Sequence, residues 1–447
     1  MRKNKKKLAV EWLDEHFGEV DLDDLVVFRH IFPLWMRVDV QAAILDFFSR
    51  KPDHKFFGCR ITETEGEFRF PNLLEDGDGA IAVGPPVYTM LDLGDGEPVQ
   101  TQLRGLWLDE QDGLRYGVLC ETTIEHWNAE FRVELAVPPG DQGRQFALAF
   151  IDKLILVGRR ADTFKGRILI PSSNVPEGML VRGSVDFTRV PLTTVIKEDI
   201  ILDQRTADLF ESNTMGFIAQ VDALSKLGFS ARKGVLLYGP PGTGKTLLLR
   251  YLVGQLQGWT RFILTPDSFE LISQIMEAAR WMSPCLIVIE DVDLIAENRE
   301  YAGQTHPSLL NCLLNEMDGL TPDSQVLFLL TTNRPDVLEP ALASRPGRID
   351  QAIEIGLPAD DERRHLLGYF AKSIPLSEEV IARVSQRTSE ASPAFLKELV
   401  RRSIQKMLEE NSTTLDFKFF QDALNNMVKG GGKIGAQLIG AKGIGFV

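Results

Sequence analysis

The sequence lacks the long apolar runs that mark membrane proteins and secreted precursors. Nowhere do the roughly 18 uncharged apolar residues that a membrane span needs follow one another. The best run, FALAFIDKLILVG, is interrupted by Asp152 and Lys153. The basic N-terminus, MRKNKKKLAVEWLDEHF, has no apolar core of signal-peptide length before Glu11. These absences predict a cytoplasmic protein without a membrane span.

Cysteine is also scarce, and acidic residues outnumber basic ones. The cysteines are far apart, with no C-x-x-C spacing, so neither a zinc site nor a disulfide framework is predicted. They are interpreted as small apolar residues: Cys59, Cys120, Cys285 and Cys312. The formal net charge of −14 repels nucleic-acid phosphates on average, which disfavours nucleic acid as a partner.

The spacing of apolar residues divides the 447-residue chain into five predicted segments. Helical spacing predicts an N-terminal helical segment over 1–52, and short apolar runs between turn signals predict a β-rich domain over 53–188. Strand-like and helical runs then alternate over 189–360, as in a parallel sheet covered by helices on both faces, and 361–428 has a wholly helical pattern. Seven glycines predict a flexible tail over 429–447.

A phosphate-binding motif is the strongest signal in the sequence. GPPGTGKT follows the strand-like GVLLYG and precedes the helix-like TLLLRYLVGQL. In this motif glycines let backbone N–H groups surround the phosphates, the lysine adds a point charge, and the threonine hydroxyl reaches magnesium. The residues predicted to contact the nucleotide are Gly239, Pro240, Pro241, Gly242, Thr243, Gly244, Lys245, Thr246 and Leu247.

A second motif, LIVIEDVD, reads as a buried strand that ends in carboxylates. In such sites one carboxylate holds magnesium and the next orients or deprotonates the attacking water. By position, Glu290 has the metal role together with Thr246, and Asp291 is the base. The alternative interpretation is an acidic, solvated strand end.

These motifs, followed by LLNEMDGL and TTNRPDVLEPALASRPGRID, are similar in order and spacing to an AAA+ ATPase module of the FtsH, proteasomal-ATPase and spastin kind. The resemblance covers about residues 190–428 and implies an α/β P-loop NTPase with a large parallel-sheet domain and a helical lid. It does not reach the first 185 residues, where the spacing of apolar residues predicts an α+β, β-rich domain. It implies ATP and Mg²⁺ as cofactors. It also implies that Asn333 lies between the γ-phosphate and the attacking water, and that Arg345 and Arg348 act in a neighbouring subunit's site. The alternative for the two arginines is a surface helix cap. Arginines that act in a neighbour require a homo-oligomeric ring, with a hexamer expected and a heptamer as the alternative.

The sequence departs from that family in three places. The acidic pair reads Glu-Asp instead of Asp-Glu, and FILTPDSFELISQIMEAARWMSPCLIV leaves no room for an aromatic threading loop, because Asp267 and Glu270 resemble a capping box that starts a helix at once. Both features are similar to the mitochondrial AAA translocase of the folded Rieske protein. The segment with Tyr301 is a candidate pore lining, with a surface loop as the alternative. At the usual lid arginine stands Ser392-Pro393-Ala394, and Lys397 is interpreted as a solvated helix charge.

The sequence thus predicts a ring-forming, Mg²⁺-dependent ATPase and hydrolase that remodels or translocates a protein substrate bound by the N-terminal region, without an aromatic threading loop. Two alternatives belong to other classes. One is an ATP-gated assembly scaffold with little hydrolysis. The other is a DNA-directed AAA+ motor, which would need a basic channel.

Overall fold

The computed structural model describes residues 7–60, 69–76, 80–94, 96–125, 128–172, 185–191, 195–297, 309–320, 324–336 and 349–438. In chain order the α-helices are α1 (Ala9–Phe17), α2 (Arg37–Ser49), α3 (Asp141–Arg160), α4 (Gln204–Asn213), α5 (Met215–Lys226), α6 (Lys245–Gln255), α7 (Ile272–Trp281), α8 (Val292–Glu297), α9 (Leu309–Asp318), α10 (Asp360–Phe370), α11 (Glu378–Arg387), α12 (Pro393–Glu409) and α13 (Phe417–Leu438). The strands are β1 (Val26–Phe32), β2 (Lys55–Arg60), β3 (Ala82–Gly84), β4 (Val87–Leu91), β5 (Val99–Gln111), β6 (Leu114–Glu125), β7 (Asn128–Val137), β8 (Ile168–Ser172), β9 (Asp186–Arg189), β10 (Arg232–Tyr238), β11 (Thr260–Leu264), β12 (Cys285–Ile289), β13 (Val326–Thr332) and β14 (Gln351–Glu354).

The chain divides into two compact units. The N-terminal unit comprises Met1–Pro191 and Leu271–Ser283, and the C-terminal unit comprises Leu192–Glu270 and Pro284–Val447. The segment Leu271–Ser283 contains α7, and within the N-terminal unit the Arg159 guanidinium lies 4.3 Å from the Trp281 ring centroid. In the described part of the chain, no helix is long and apolar enough to cross a membrane.

An antiparallel sheet forms the centre of the N-terminal unit. Its strand order is β1-β7-β6-β5-β2-β3, with β4 paired to β5. The predicted β-rich region is therefore confirmed, with six strands, β2 to β7, between Lys55 and Val137. Helix α1 buries Leu13 and Phe17 with Phe70 and Leu106 in one apolar cluster.

The first 52 residues are not wholly helical, so this part of the prediction is wrong. They contain β1, whose residues Val26–Phe32 pair with Phe131–Val137 of β7. The reason lies in the sequence VVFRHIF, which is rich in β-branched and aromatic residues that pack well on a pleated surface. Helices α1 and α2, on either side of this strand, agree with the predicted helical spacing.

Five parallel strands form the sheet of the C-terminal unit, in the order β14-β10-β13-β12-β11. Every residue of β12 and of β13 is buried, as expected for strands covered on both faces. The five predicted strands of this region are confirmed. Because parallel strands end at the same edge, the residues that follow β10, β12 and β13 meet there.

Helices α10 to α13 form a separate apolar cluster, in which Phe395, Leu399, Phe419 and Phe420 are buried. We refer to these four helices as the lid. Helix α13 continues to Leu438, although its glycines predicted a flexible tail from 429. The physical reason is cooperativity, since a helix already nucleated over Phe417–Met427 gains one hydrogen bond for each residue added. Residues 439–447 lie outside the described part of the chain.

Candidate functional site

The motif GPPGTGKT forms the turn between β10 and α6, at the edge where the parallel strands end. Gly239, Gly242 and Gly244 have φ values of 144°, 78° and 107°, a region that side chains with a Cβ atom seldom adopt. A Cβ atom on Gly239 would also lie 2.2 Å from the Ile355 carbonyl oxygen. The sequence therefore needs glycine here both for backbone conformation and for close approach to the chain after β14.

Lys245 is the first residue of α6, and its side chain turns back over the motif. Its Nζ donates to the carbonyl oxygens of Gly239 (2.8 Å) and Pro240 (2.9 Å). Burial lowers the pKa of the Lys245 ammonium, while the carboxylates of Asp291 and Asp293 oppose part of this shift. Thr243 donates its hydroxyl to the Pro240 carbonyl at 3.0 Å, which closes the turn. The lysine is thus held at the phosphate-binding edge, with acidic groups near it.

The two carboxylates after β12 make different contacts. Glu290 Oε2 accepts a hydrogen bond from the Thr246 hydroxyl at 3.0 Å. Asp291 Oδ1 accepts from Nδ2 of Asn333, also at 3.0 Å. The geometry brings together Thr246 with Glu290, the two residues that the sequence assigned to the metal, and Asp291 with Asn333, which it assigned to the attacking water.

Asp291 has an unusual backbone conformation. Its φ of 50° lies in the left-handed region, and its N–H donates to Oγ1 of Thr331 at 3.1 Å. Aspartate and asparagine tolerate this conformation better than most other residues that have a Cβ atom. Such positions concentrate at functional sites, where surrounding contacts hold them. The carboxylate of Asp291 is consequently aimed by its backbone as well as by Asn333.

Sequence reasoning missed Asp293. Its side chain is 5% exposed, and its Oδ1 accepts from the Thr332 hydroxyl at 2.8 Å and from the Asn333 N–H at 3.3 Å. The third acidic residue of IEDVD was a signal in the sequence, but only the structure shows that it contacts the end of β13. Asp293 therefore joins the two segments that carry Asp291 and Asn333.

A cavity of about 210 Å³ adjoins the phosphate-binding turn within the C-terminal unit. It is lined by residues from four places in the sequence: Asp199, Ile200, Ile201, Leu202, Thr243, Gly244, Leu247, Leu248, Leu366, Tyr369, Phe370, Pro393 and Lys397. The lining combines aliphatic and aromatic side chains with few polar groups, which suits a nucleobase and its ribose. The Tyr369 hydroxyl donates to the Asp199 carboxylate across this lining. Of the predicted nucleotide contacts, Thr243, Gly244 and Leu247 lie here.

The lid contacts the phosphate-binding turn directly. Ser392 caps α12 by accepting from the Phe395 N–H, and the Ala394 N–H donates to the Gly242 carbonyl at 3.1 Å. A Cβ atom on Gly242 would lie 2.9 Å from Cβ of Ala394. Lys397, one turn further along α12, is exposed at the edge of the cavity. Small residues at 242 and 394 therefore permit this close packing.

The residues present fit a magnesium ion between Thr246 and Glu290. A hydroxyl and a carboxylate are oxygen ligands of the kind that Mg²⁺ prefers, and phosphates and water usually supply the others. Among the described residues no group of three or more His, Cys, Asp and Glu side chains could hold a metal ion by itself. At the Thr246–Glu290 pair, phosphate oxygens and water would supply the remaining ligands.

Two predicted features lie outside the described residues: the arginine pair, Arg345 and Arg348, and the segment that contains Tyr301.

The predicted helical start at 267–270 is a 3-10 helix, Pro266–Leu271, which leads directly into α7. Only Thr265 separates β11 from that 3-10 helix.

Comparison with known proteins gives a family for this region. Residues 235–357 match the model of the ATPase family associated with various cellular activities (AAA). This range begins within β10 and includes the phosphate-binding turn, β12 with its carboxylates, and β13.

Curated relatives include ATP-dependent zinc metalloproteases named FtsH. The chain is 33% identical over 244 residues to FtsH of Staphylococcus haemolyticus, covering 52% of this chain and 33% of the relative. It is 30% identical over 325 residues to FtsH 3 of Synechocystis, covering 67% of this chain and 51% of the relative. The chain spans about half, or less, of the length of these relatives.

Proposed function

We propose that this chain, which carries an AAA ATPase domain of FtsH-like type, couples ATP hydrolysis at the site above to the rearrangement of a protein substrate. The observation that carries the proposal is the separation of the two carboxylates after β12. One contacts the hydroxyl of the phosphate-binding motif and the other contacts the amide of Asn333. In a solvated acidic strand end, the two carboxylates would not be expected to have separate hydrogen-bond partners within the site.

Each side chain then has a distinct task. The backbone N–H groups of Gly242 to Thr246 and the Lys245 ammonium bind the β- and γ-phosphates. Thr246 and Glu290 would hold Mg²⁺, which when bound supplies positive charge that neutralises the phosphate oxygens. Asp291 accepts the proton of the attacking water, and Asn333 orients that carboxylate and the water. The aromatic and aliphatic cavity beside Leu247 receives the adenosine.

The Glu-Asp order is compatible with this division. A glutamate at 290 reaches Thr246 with its longer side chain, and an aspartate at 291 suits the left-handed backbone. The exchange relative to the common order therefore keeps a metal-side carboxylate and a base-side carboxylate. It supports hydrolysis over the alternative of a nucleotide-gated scaffold.

Ring formation and the mode of work on substrate belong to the same proposal. An AAA ATPase domain supports a homo-oligomeric ring, expected to be a hexamer with a heptamer as the alternative, in which Arg345 and Arg348 act on the neighbouring site. The N-terminal unit would bind the protein substrate. The single residue between β11 and the following 3-10 helix supports action without an aromatic threading loop.

Phosphate release tests the proposal. We expect Mg²⁺-dependent ATP turnover by the wild type, loss of turnover and of ATP binding in Lys245→Ala, and normal turnover in Lys226→Ala, a matched control at the exposed end of α5. Equal, background rates of phosphate release in all three proteins would refute the proposed ATPase activity. Negligible wild-type turnover together with an oligomer formed equally in ATP and in a non-hydrolysable analogue would favour the scaffold.

The substrate is tested separately. An Asp291→Asn protein should retain ATP and hold its substrate, and a protein captured by it should also accelerate the turnover of the wild type. A captured protein that leaves turnover unchanged would count against protein remodelling. Binding of DNA at moderate salt, with stimulation of turnover, would instead support the nucleic-acid alternative.

A further inference from the structure

Asp293 lies close to the proposed reaction centre but has no place in the division of tasks above. It is the second residue of α8, two positions after Asp291, and its carboxylate is almost completely buried. A buried carboxylate is costly unless hydrogen bonds satisfy it. Its contacts with the end of β13 are therefore the place to look for its purpose.

Asp293 and the proposed base, Asp291, are both hydrogen-bonded to the end of β13 and the residue after it. Asp293 Oδ1 accepts from Oγ1 of Thr332 and from the N–H of Asn333, whose side-chain amide donates to Asp291. The Asp291 N–H in turn donates to Oγ1 of Thr331, so contacts between the two segments run in both directions. The main chain of Asn333 is fixed on one side while its side chain acts on the other.

Thr332 strengthens the same arrangement. Its hydroxyl oxygen accepts a hydrogen bond from the Arg334 N–H at 2.9 Å, and the hydroxyl donates a hydrogen bond to Asp293. The turn after β13 is therefore tied to α8 through one carboxylate oxygen. If that oxygen is removed, the Asn333 backbone loses its fixed position, and its amide no longer has a defined direction toward Asp291.

We infer that Asp293 is a positioning residue for ATP hydrolysis, which holds the Asn333 main chain so that the Asn333 amide aims the Asp291 carboxylate at the attacking water. The inference rests on the proposed function for its catalytic meaning. Asp293 itself does not contact the reacting atoms. Its contribution is to geometry, and within the described part of the chain the two hydrogen bonds that it accepts both go to Oδ1.

That single acceptor provides a test. Asparagine at 293 keeps an Oδ1 acceptor but has no charge, whereas alanine removes both. Because a displacement of about 1 Å at a reacting group can slow a reaction by about 100-fold, Asp293→Ala should lower kcat by about 10- to 100-fold with little change in KM for ATP. Asp293→Asn should recover at least about tenfold of that loss. Asp336→Ala, at an exposed aspartate near the same strand end, is the control and should turn over normally.

A double-mutant cycle separates positioning from general weakening. If Asp293 acts through the Asn333 amide, adding Asp293→Ala to Asn333→Ala should slow turnover by less than about threefold beyond Asn333→Ala alone. If the double variant instead slows turnover by the product of the two separate effects, the inference is wrong. An Asp293→Asn protein as slow as Asp293→Ala would also overturn the inference, because then the charge and not the acceptor would matter.

Hydrogen exchange gives a readout that does not need turnover. In Asp293→Ala we expect faster exchange of the Asn333 and Arg334 amides, with Val326–Leu330 of β13 unchanged. Unchanged exchange at Asn333 would overturn the inference, and faster exchange over the whole strand would show a general structural role instead. Absence of ATP turnover in the wild type would refute the proposed function. Hydrogen exchange of the Asn333 amide in Asp293→Ala and in Asp293→Asn would still show whether the side-chain oxygen at 293 holds Asn333.

Discussion

Restoring the common acidic order is predicted to impair the proposed ATP hydrolysis. The variant is the double substitution Glu290→Asp with Asp291→Glu, which leaves the net charge unchanged. The Thr246–Glu290 hydrogen bond is 3.0 Å long, and a side chain shorter by one methylene cannot span the same gap without movement of the backbone. A hydrogen bond to a charged group contributes about 1.5–3 kcal/mol, equivalent to roughly 10- to 100-fold in an equilibrium constant.

Position 291 adds a second cost. Its φ of 50° suits aspartate, and glutamate there lacks the short polar side chain that makes the left-handed region tolerable. The penalty for a left-handed residue is about 1–2 kcal/mol, and aspartate escapes part of it. The longer side chain would also displace the carboxylate from the 3.0 Å contact with Asn333.

The assay is steady-state phosphate release as a function of ATP and Mg²⁺, with both single substitutions as controls. We expect Glu290→Asp to raise the Mg²⁺ concentration for half-maximal rate by about tenfold, Asp291→Glu to lower kcat by about tenfold or more, and the double variant to show both defects. A double variant that matches or exceeds the wild-type rate would contradict this prediction, because it would show that the two positions are interchangeable.

Two further predictions concern the lid. Gly242→Ala should weaken ATP binding by about tenfold or more, because the new Cβ atom would lie 2.9 Å from Cβ of Ala394 and overpacking costs about 1–3 kcal/mol. The control is Gly258→Ala, which has a φ of 86° but no atom within 4 Å of the new Cβ. It has the backbone strain without the steric contact and should bind ATP normally. Equal affinities in titrations of the two variants would contradict the lid contact. Tyr369→Phe should lower the melting temperature near neutral pH, because the hydrogen bond from Tyr369 lowers the pKa of Asp199 and the same bond raises the pKa of Tyr369. This stabilisation is complete above the ordinary aspartate pKa of about 3.9 and below the ordinary tyrosine pKa of about 10. It disappears as pH falls through the lowered pKa or rises through the raised one, so melting curves that differ equally at all pH values would contradict it.

The parts of this molecule that follow local rules were predictable from the sequence. The strand–turn–helix around GPPGTGKT depends on glycine conformations and apolar runs that are adjacent in the chain, and the structure has β10 and α6 there. Ser392 before Pro393 is likewise a local helix start. Parallel strands end at one edge, which explains why the residues assigned to the metal, Thr246 and Glu290, and those assigned to the attacking water, Asp291 and Asn333, lie near one another.

Features that depend on distant contacts were not predictable. The left-handed conformation of Asp291 is stabilised by Thr331 near the end of β13 and by Asn333 directly after that strand. The burial of Asp293 depends on the same strand end, and a bare carboxylate in IEDVD gives no sign of it. Pairing with β7 likewise makes Val26–Phe32 a strand within a segment whose neighbours are helical. The cavity beside the turn combines residues near 200, 245, 370 and 395, which no local pattern connects.

Asp291 is proposed to act on the attacking water and not on nucleotide binding. The most direct measurement compares ATP affinity and single-turnover hydrolysis in the wild type and in Asp291→Asn, whose asparagine tolerates the same backbone conformation and can still meet the Asn333 side chain after an amide rotation. We expect an affinity within about threefold of the wild type and a hydrolysis rate lower by about 100- to 10,000-fold, the usual contribution of a general base. Hydrolysis at the wild-type rate by a variant that binds ATP normally would contradict this role of Asp291.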